Sequence, residues 1–302
     1  MNSLGEIRQL RGPILRSVSR SFYLSIRLLP KKLRDSIALA YLLARATDTI
    51  ADTSEIDPKL RARELEKLAA RIQGAETTDD SLPLFAAQQK REAERNLIQA
   101  VSACLSWLRA MPSDDRADIA AVLSKINQGQ TLDLIHPMLK TDEELERYTY
   151  LVAGCVGEFW TSVCFRHLPK FANLSLEKMN SLGVEYGKGL QLINILRDVG
   201  ADQRAARSYL PNLDPQNPLP VLVRWQKRAE EGIAAGIKYA AAIRPMRVRL
   251  ATALPALIAA RTLALLREAG AEVFSREIKV SRAEVRQIML RTLINYSLGA
   301  RK

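Results

Sequence analysis

Four aspartates carry the chemistry that this sequence suggests. Asp48 and Asp52 stand four residues apart in Asp48-Thr-Ile-Ala-Asp52, and Asp198 and Asp202 repeat the spacing in Asp198-Val-Gly-Ala-Asp202. On an α-helix, residues i and i+4 share a face. Both stripes extend upstream: Tyr41, Arg45, Asp48 and Asp52 fall within about 60° of helix circumference, and Gln191, Asn194, Asp198 and Asp202 within about 80°. Their flanks are apolar, Ile37-Ala-Leu-Ala-Tyr-Leu-Leu-Ala44 and Leu190-Gln-Leu-Ile-Asn-Ile-Leu196. A buried carboxylate is costly unless paired or metal-bound, so a polar stripe on such a helix implies a wet, ion-filled cavity. Hard oxygen donors suit Mg²⁺, which takes one or two carboxylates and completes its shell with water and substrate phosphate. Two such pairs facing each other could hold a diphosphate. Arg45, Arg197, Arg204 and Arg207 beside the pairs, with Ser19-Arg20-Ser21 upstream, supply the donors that a diphosphate needs.

The elements that must position these residues read as helix throughout. No stretch sustains the period-2 alternation of a half-buried strand, and Ala, Leu, Arg, Glu and Lys dominate. The pattern predicts helices near 31–52, 57–73, 84–110, 114–129, 142–167, 175–200, 218–243, 246–269 and 281–298. Breaks fall at Gly74 to Ser81, Met111-Pro112-Ser113, His136-Pro137, Leu168-Pro169 and Pro211 to Pro220. Thr141-Asp-Glu-Glu144 and Ser281-Arg-Ala-Glu284 match the capping box. No linker divides the chain, so residues 1–302 are expected to form a single all-α domain with a central cavity. The apolar run Leu250 to Leu266 contains Pro255 and Arg261 and is too short for a bilayer crossing; it reads as a buried, kinked helix.

Composition narrows the class. The 302 residues are 47% hydrophobic and 26% charged, enough for a large core and unlike a disordered chain. Met1 to Arg11 lacks the apolar core of a signal peptide. Cys104, Cys155 and Cys164 show no metal or redox spacing, so reduced thiols in a cytoplasmic protein are expected. The net charge is +12, and from Arg224 to Lys302 there are 16 Lys and Arg against 6 Asp and Glu. Such a segment could meet anionic lipid, nucleic acid or a phosphorylated substrate. A non-enzymatic basic protein binding nucleic acid or membrane would leave the aspartate stripes unexplained, since carboxylates repel phosphate unless a cation intervenes. No nucleic-acid partner is therefore expected. Peripheral membrane association is compatible with enzymatic function. His136 and His167 are isolated beside breaks and read as structural.

Four blocks together resemble the squalene/phytoene synthase family of head-to-head prenyl transferases. They are Ser19-Arg-Ser-Phe22, Tyr41-Leu-Leu-Ala-Arg-Ala-Thr-Asp-Thr-Ile-Ala-Asp52, Tyr148-Thr-Tyr-Leu-Val-Ala-Gly-Cys-Val-Gly157 and Gln191-Leu-Ile-Asn-Ile-Leu-Arg-Asp-Val-Gly-Ala-Asp202. The resemblance implies a class I isoprenoid synthase helical bundle. It implies that Asp48 and Asp52 form one Mg²⁺ site and Asn194, Asp198 and Asp202 the other. Ser19, Arg20, Ser21, Arg45, Arg197 and Arg207 match diphosphate-contacting positions, with Gln191 beside them, and Tyr148 matches a tyrosine with a catalytic role in the first half-reaction. One prenyl diphosphate would ionise, the double bond of the second would attack to give a cyclopropylcarbinyl diphosphate, and a second ionisation with rearrangement would give the C30 or C40 product. Aromatic faces can stabilise the carbocations without attacking them, and Phe22, Tyr41, Tyr148, Phe159, Trp160 and Tyr209 are candidates. Gly154, Gly157, Gly183, Gly187 and Gly189 lie inside expected helices, where close helix approach or room for a prenyl chain would explain them. The first pair looks most like a bacterial squalene synthase, with NADPH as reductant. The tail Arg207-Ser-Tyr-Leu-Pro211 looks more like phytoene synthases. Phytoene, dehydrosqualene and presqualene diphosphate thus stand as alternative products to squalene.

Overall fold

The protein is described by a computed structural model. It covers residues 3–19, 22–76, 81–136 and 138–299, with the side chains of residues 3, 4, 22, 24 and 293–299 left aside. The described residues are helical, with only the isolated bridges Met138 to Ser208 and Ala172 to Ile243. Contacts divide the chain into two compact units, Met1–Ile135 and His136–Lys302.

The first unit contains α1 (Ser3–Gln9), a π-helical turn at Leu10–Ile14, α2 (Leu15–Ser19), α3 (Phe22–Leu28), α4 (Lys31–Ala51), α5 (Pro58–Ile72), α6 (Leu82–Gln88), α7 (Glu92–Gln99), α8 (Val101–Arg109) and α9 (Ser113–Ile135). At its centre lies α4, which packs on α5, α7, α8 and α9. Leu33, Leu39, Leu42, Leu43 and Ile50 of α4 are fully buried. The expected helix 84–110 is three helices. Gln88-Gln89-Lys90-Arg91 contains no local breaker, and the interruption is tertiary. Buried Gln89 is extended and donates from Nε2 to Thr53 Oγ1 at 2.8 Å, while Arg95 donates to its carbonyl at 2.7 Å. Helix α9 runs on to Ile135, six residues past the expected end.

The second unit contains α10 (Asp142–Thr149), a π-helical turn at Tyr150–Gly154, α11 (Cys155–His167), α12 (Leu176–Arg204), α13 (Leu219–Ala242), α14 (Met246–Ala269), a 3₁₀ turn at Gly270–Phe274 and α15 (Arg282–Gly299). Both capping boxes form: Thr141 and Glu144 exchange bonds, as do Ser281 and Glu284. Helix α12 packs along α11 and α13, and α13 along α14. Glycines permit this closeness. A Cβ on Gly157 would sit 2.0 Å from the Gly183 carbonyl oxygen, one on Gly187 2.3 Å from the Ala153 oxygen, and one on Gly189 2.8 Å from Gly232. Close helix approach therefore accounts for these glycines, and the space beside Gly157 is filled by backbone.

The membrane reading needs a correction. Met246–Phe274 is long and apolar enough to cross a bilayer by length and composition, so the expectation that this region is too short fails. An apolar 18-residue stretch of it is 44% buried, and Val248, Ala256, Leu263 and Leu266 of the same helix lie inside the unit. All three cysteines are free and buried, and burial pushes the Cys104 thiol up to about 12.

Candidate active site

Helix α4 presents Tyr41, Arg45, Asp48 and Asp52 along one stripe. Asp52 is the C-cap, its N–H donating to the Asp48 carbonyl at 2.9 Å, so the second carboxylate stands at the helix end. Arg45 Nη1 donates to Asp48 Oδ2, and Arg45 Nη2 donates to Glu94 Oε1 at 2.7 Å. Burial opposes the Arg45 charge, but Asp48, Glu94 and Tyr41 together outweigh it and raise its pKa. Burial also pushes the Asp48 carboxyl up against the pull of Arg45, and the neighbouring charges of Glu94 and Asp133 add to the rise. The Asp48 side chain keeps 43% of its surface in solvent, which limits that effect. Glu94 and Asp133 were not among the expected residues. They come from α7 and α9, at sequence distances where helical periodicity carries no signal.

The Tyr41 hydroxyl donates to the Val18 carbonyl at 3.3 Å. Ser19 is buried and its hydroxyl donates to the Leu15 carbonyl. Arg20 and Ser21 lie outside the described residues, as does the Phe22 side chain.

Helix α12 presents the second stripe. It extends to Arg204, past the expected end at 200, so Asp198 and Asp202 are both helical. Arg197 grips Asp198 with two bonds, Nε to Oδ1 at 2.7 Å and Nη2 to Oδ2 at 2.6 Å. The Asp198 hydrogen bond raises the Arg197 pKa against burial, aided by Asp198, Glu277 and Asp202 charges. Asn194 is exposed and donates from Nδ2 to Gln191 Oε1 at 3.4 Å. The helix ends in a Schellman turn: Ala206 takes φ 56°, its N–H donates to the Gln203 carbonyl at 3.0 Å, and the Arg207 N–H donates to the Asp202 carbonyl at 2.8 Å. A turn that usually uses Gly is made here by Ala, which is why the sequence gives no stop signal. It returns Arg207 beside Asp202. Asp202, Arg207 and Tyr209 line one narrow crevice with Ile195 and Val199.

Tyr209 stacks on Tyr148 with ring centroids 5.2 Å apart and planes 21° apart, both rings buried. Tyr148 lies in the last turn of α10, just before the π-helical turn Tyr150–Gly154; such bulges are frequent at functional sites. Gly154 is buried against Lys188, Tyr150 and Val184. Two residues before Tyr148, Glu146 pins α10 to the long helices. It accepts from Arg228 Nε at 2.7 Å and pairs with Lys188, and both cations also reach Glu185. Burial works against the Glu146 charge, but these hydrogen bonds win and its pKa is lowered. A carboxylate with a depressed folded pKa stabilises the protein above its unfolded pKa, and that stabilisation fades as pH falls through the folded value. Glu146→Gln should therefore melt below wild type at neutral pH. The gap should narrow as the pH drops below about 4, the ordinary glutamate range. Melting curves across pH check this, and a gap that is constant with pH would contradict it.

Among the described residues no group of three or more His, Cys, Asp or Glu surrounds a metal position. The donors come as pairs, which fits Mg²⁺, since water and phosphate complete its shell. The leading carboxylate of each pair already holds a cation, a guanidinium: Arg45 on Asp48 and Arg197 on Asp198. The Gly183, Gly187 and Gly189 run lies inside α12 against other helices, so it forms no phosphate cradle for a dinucleotide.

The sequence model of the squalene/phytoene synthase family matches residues 15–284. The chain belongs to this family. The squalene synthase of Eremothecium gossypii is 29% identical over 216 residues, covering 66% of this chain and 44% of that protein. The phytoene synthase of Mycobacterium tuberculosis is 24% identical over 309 residues, covering 95% of this chain and 91% of that protein. The chain spans less than half the length of the first curated relatives it matches, which include two bifunctional lycopene cyclase/phytoene synthases at 32% and 36%. Among solved structures, the ligand complex of TcSQS with E5700 aligns with TM-score 0.80 at 22% identity, covering all of this chain and 93% of that one. The squalene synthase HpnC of Alicyclobacillus acidocaldarius aligns with TM-score 0.60 at 20% identity, over 89% of this chain and 99% of that one. The squalene/phytoene synthase fold is thus the all-helical fold of this chain.

Proposed function

We propose that this family member is a prenyltransferase that condenses two farnesyl diphosphates head to head, through presqualene diphosphate, to squalene. The observation that carries the reading is the repeated device of an aspartate pair whose leading carboxylate is gripped by a neighbouring arginine, once on α4 and once on α12. Asp48 and Asp52 would hold one part of the Mg²⁺, and Asn194, Asp198 and Asp202 the other. When bound, Mg²⁺ neutralises the leaving diphosphate so that the allylic C–O bond can ionise. Arg45, Arg197 and Arg207, with Ser19, Arg20, Ser21 and Gln191, would hold the phosphate oxygens. Tyr148 and Tyr209 offer stacked aromatic faces that a carbocation can meet without being quenched. Tyr41 and Phe22 are further aromatic residues proposed to meet a prenyl chain. Gly154 and Gly157 contribute by letting α11 and the π turn lie close to α12.

A second reading, in which the product is phytoene, dehydrosqualene or presqualene diphosphate without reduction, is favoured by Arg207-Ser-Tyr-Leu-Pro211 and by the phytoene synthase match over 95% of the chain. Product analysis with Mg²⁺ and farnesyl diphosphate, with and without NADPH, separates these. Squalene only with NADPH supports the first reading, and presqualene diphosphate or dehydrosqualene in both reactions supports the second. Absence of any C30 product, followed by a C40 product from geranylgeranyl diphosphate, makes it a phytoene synthase. Loss of all product on chelation is expected in every case. Peripheral membrane association through the basic segment from Arg224 onward belongs to the same proposal; flotation with anionic liposomes at low salt checks it.

Tyr148→Phe should slow the first condensation by roughly 100-fold, the usual range for one proton-handling group. Diphosphate affinity should stay close to wild type, because the ring and its stack on Tyr209 remain. An unchanged rate with weakened substrate binding would contradict the catalytic role.

A further inference from the structure

Arg45 serves two carboxylates. One guanidinium edge meets Asp48 and the other meets Glu94, which lies outside the Asp48 motif on α7. Glu94 keeps only 17% of its side-chain surface exposed, and its Oε1 also accepts from Arg91 Nη1 at 3.4 Å. The Arg45 side chain is 28% exposed, so stripping it of every anion would leave a half-buried charge unpaired. Without Glu94, that situation would arise whenever a divalent cation took over the Asp48 carboxylate.

We propose that Glu94 is a positioning residue for the first aspartate pair. It retains Arg45 when Asp48 exchanges guanidinium for metal, and keeps the freed guanidinium edge aimed at the incoming anion. This inference rests on the reading of Asp48 as a metal ligand. Two effects of opposite origin push the same way. With Glu94 present, the Arg45 charge is divided between two carboxylates, so its hold on Asp48 is weaker than in an exclusive pair. Glu94 also adds negative charge to the surroundings of the cation. Removing its charge should tighten Arg45 on Asp48 and make the site less attractive to Mg²⁺, so both effects lower metal affinity. The break at Gln89 to Arg91 serves this arrangement, because it starts α7 at Glu92 and places Glu94 in the first turn against α4.

The test is calorimetric titration of the full chain with inorganic pyrophosphate in the presence of Mg²⁺, beside melting curves and kcat at saturating Mg²⁺. Glu94→Gln should weaken Mg²⁺-dependent pyrophosphate binding by roughly 10–100-fold, the range for loss of an outer partner of a metal ligand. Its melting temperature should stay near wild type, and excess Mg²⁺ should recover most of kcat. Glu94→Asp should restore most of the affinity. Wild-type affinity in Glu94→Gln would overturn the proposal. So would equal loss in both variants together with a lowered melting temperature, which would mark Glu94 as merely structural. Asp48→Asn separates the premise: if it retains Mg²⁺-dependent pyrophosphate binding, Asp48 is not a ligand and the proposal falls with that reading.

Discussion

Asp48→Asn and Asp198→Asn should each cut turnover by about a thousand-fold while leaving the melting temperature within a few degrees of wild type. The magnitude follows from charge. Each substitution keeps the side-chain shape and one oxygen but removes the anion that holds the cation against the leaving diphosphate. Losing roughly 4 kcal/mol of transition-state charge stabilisation is about three powers of ten in rate. The fold should tolerate both changes because the two carboxylates are 43% and 44% exposed, so neither belongs to the core. Arg45 would keep Glu94 as its anion. Steady-state kinetics across Mg²⁺ concentrations, with thermal melts, make the measurement. Near-normal turnover in both variants would remove the assignment of the two pairs as metal sites.

Gly157→Ala should destabilise the protein by about 2 kcal/mol, although Ala is the better helix former by about 1 kcal/mol. The added methyl would lie 2.0 Å from the Gly183 oxygen and 2.3 Å from its carbonyl carbon. Those are backbone atoms of α12, so relief requires α11 and α12 to separate along their length, and overpacking of this kind costs about 1–3 kcal/mol or more. A drop of several degrees in melting temperature is expected, and Gly157→Leu should not fold. Gly5 is the internal control: nothing lies within 4 Å of its would-be Cβ, so Gly5→Ala should be neutral or slightly stabilising. A Gly157→Ala protein as stable as wild type would mean that the two helices are not held as close as described. Because α12 also carries Asp198 and Asp202, a displaced α12 should lower activity as well.

Much of this was legible from residue types and spacing. The α4 and α12 stripes depend on a period of 3.6 residues, a local property of the chain, and both stripes stand on helices as expected. The capping boxes are local too, and both form; the breaks at Met111-Pro112-Ser113 and Leu168-Pro169 separate helices, while Pro137 and residues 77–80 lie outside the described residues. Where the reading went astray, the cause was distant in sequence. The turn at Gln89 depends on Thr53, thirty-six residues away, and no breaker marks it. The end of α12 uses Ala206 at positive φ, where a glycine would have signalled the stop. Glycines within helices left two explanations open, and only the placement of Gly183 against Gly157 chose between them.

The same division applies to the site. The sequence by itself determined which side chains share a helical face, and hence that paired carboxylates with arginines suit a metal-bound diphosphate. Only the tertiary structure decided the partners that lie far away in sequence: Glu94 for Arg45 and Tyr209 for Tyr148. The physical reason is range. Helical periodicity links residues within a few turns, whereas desolvation and charge pairing act between any groups that packing brings together.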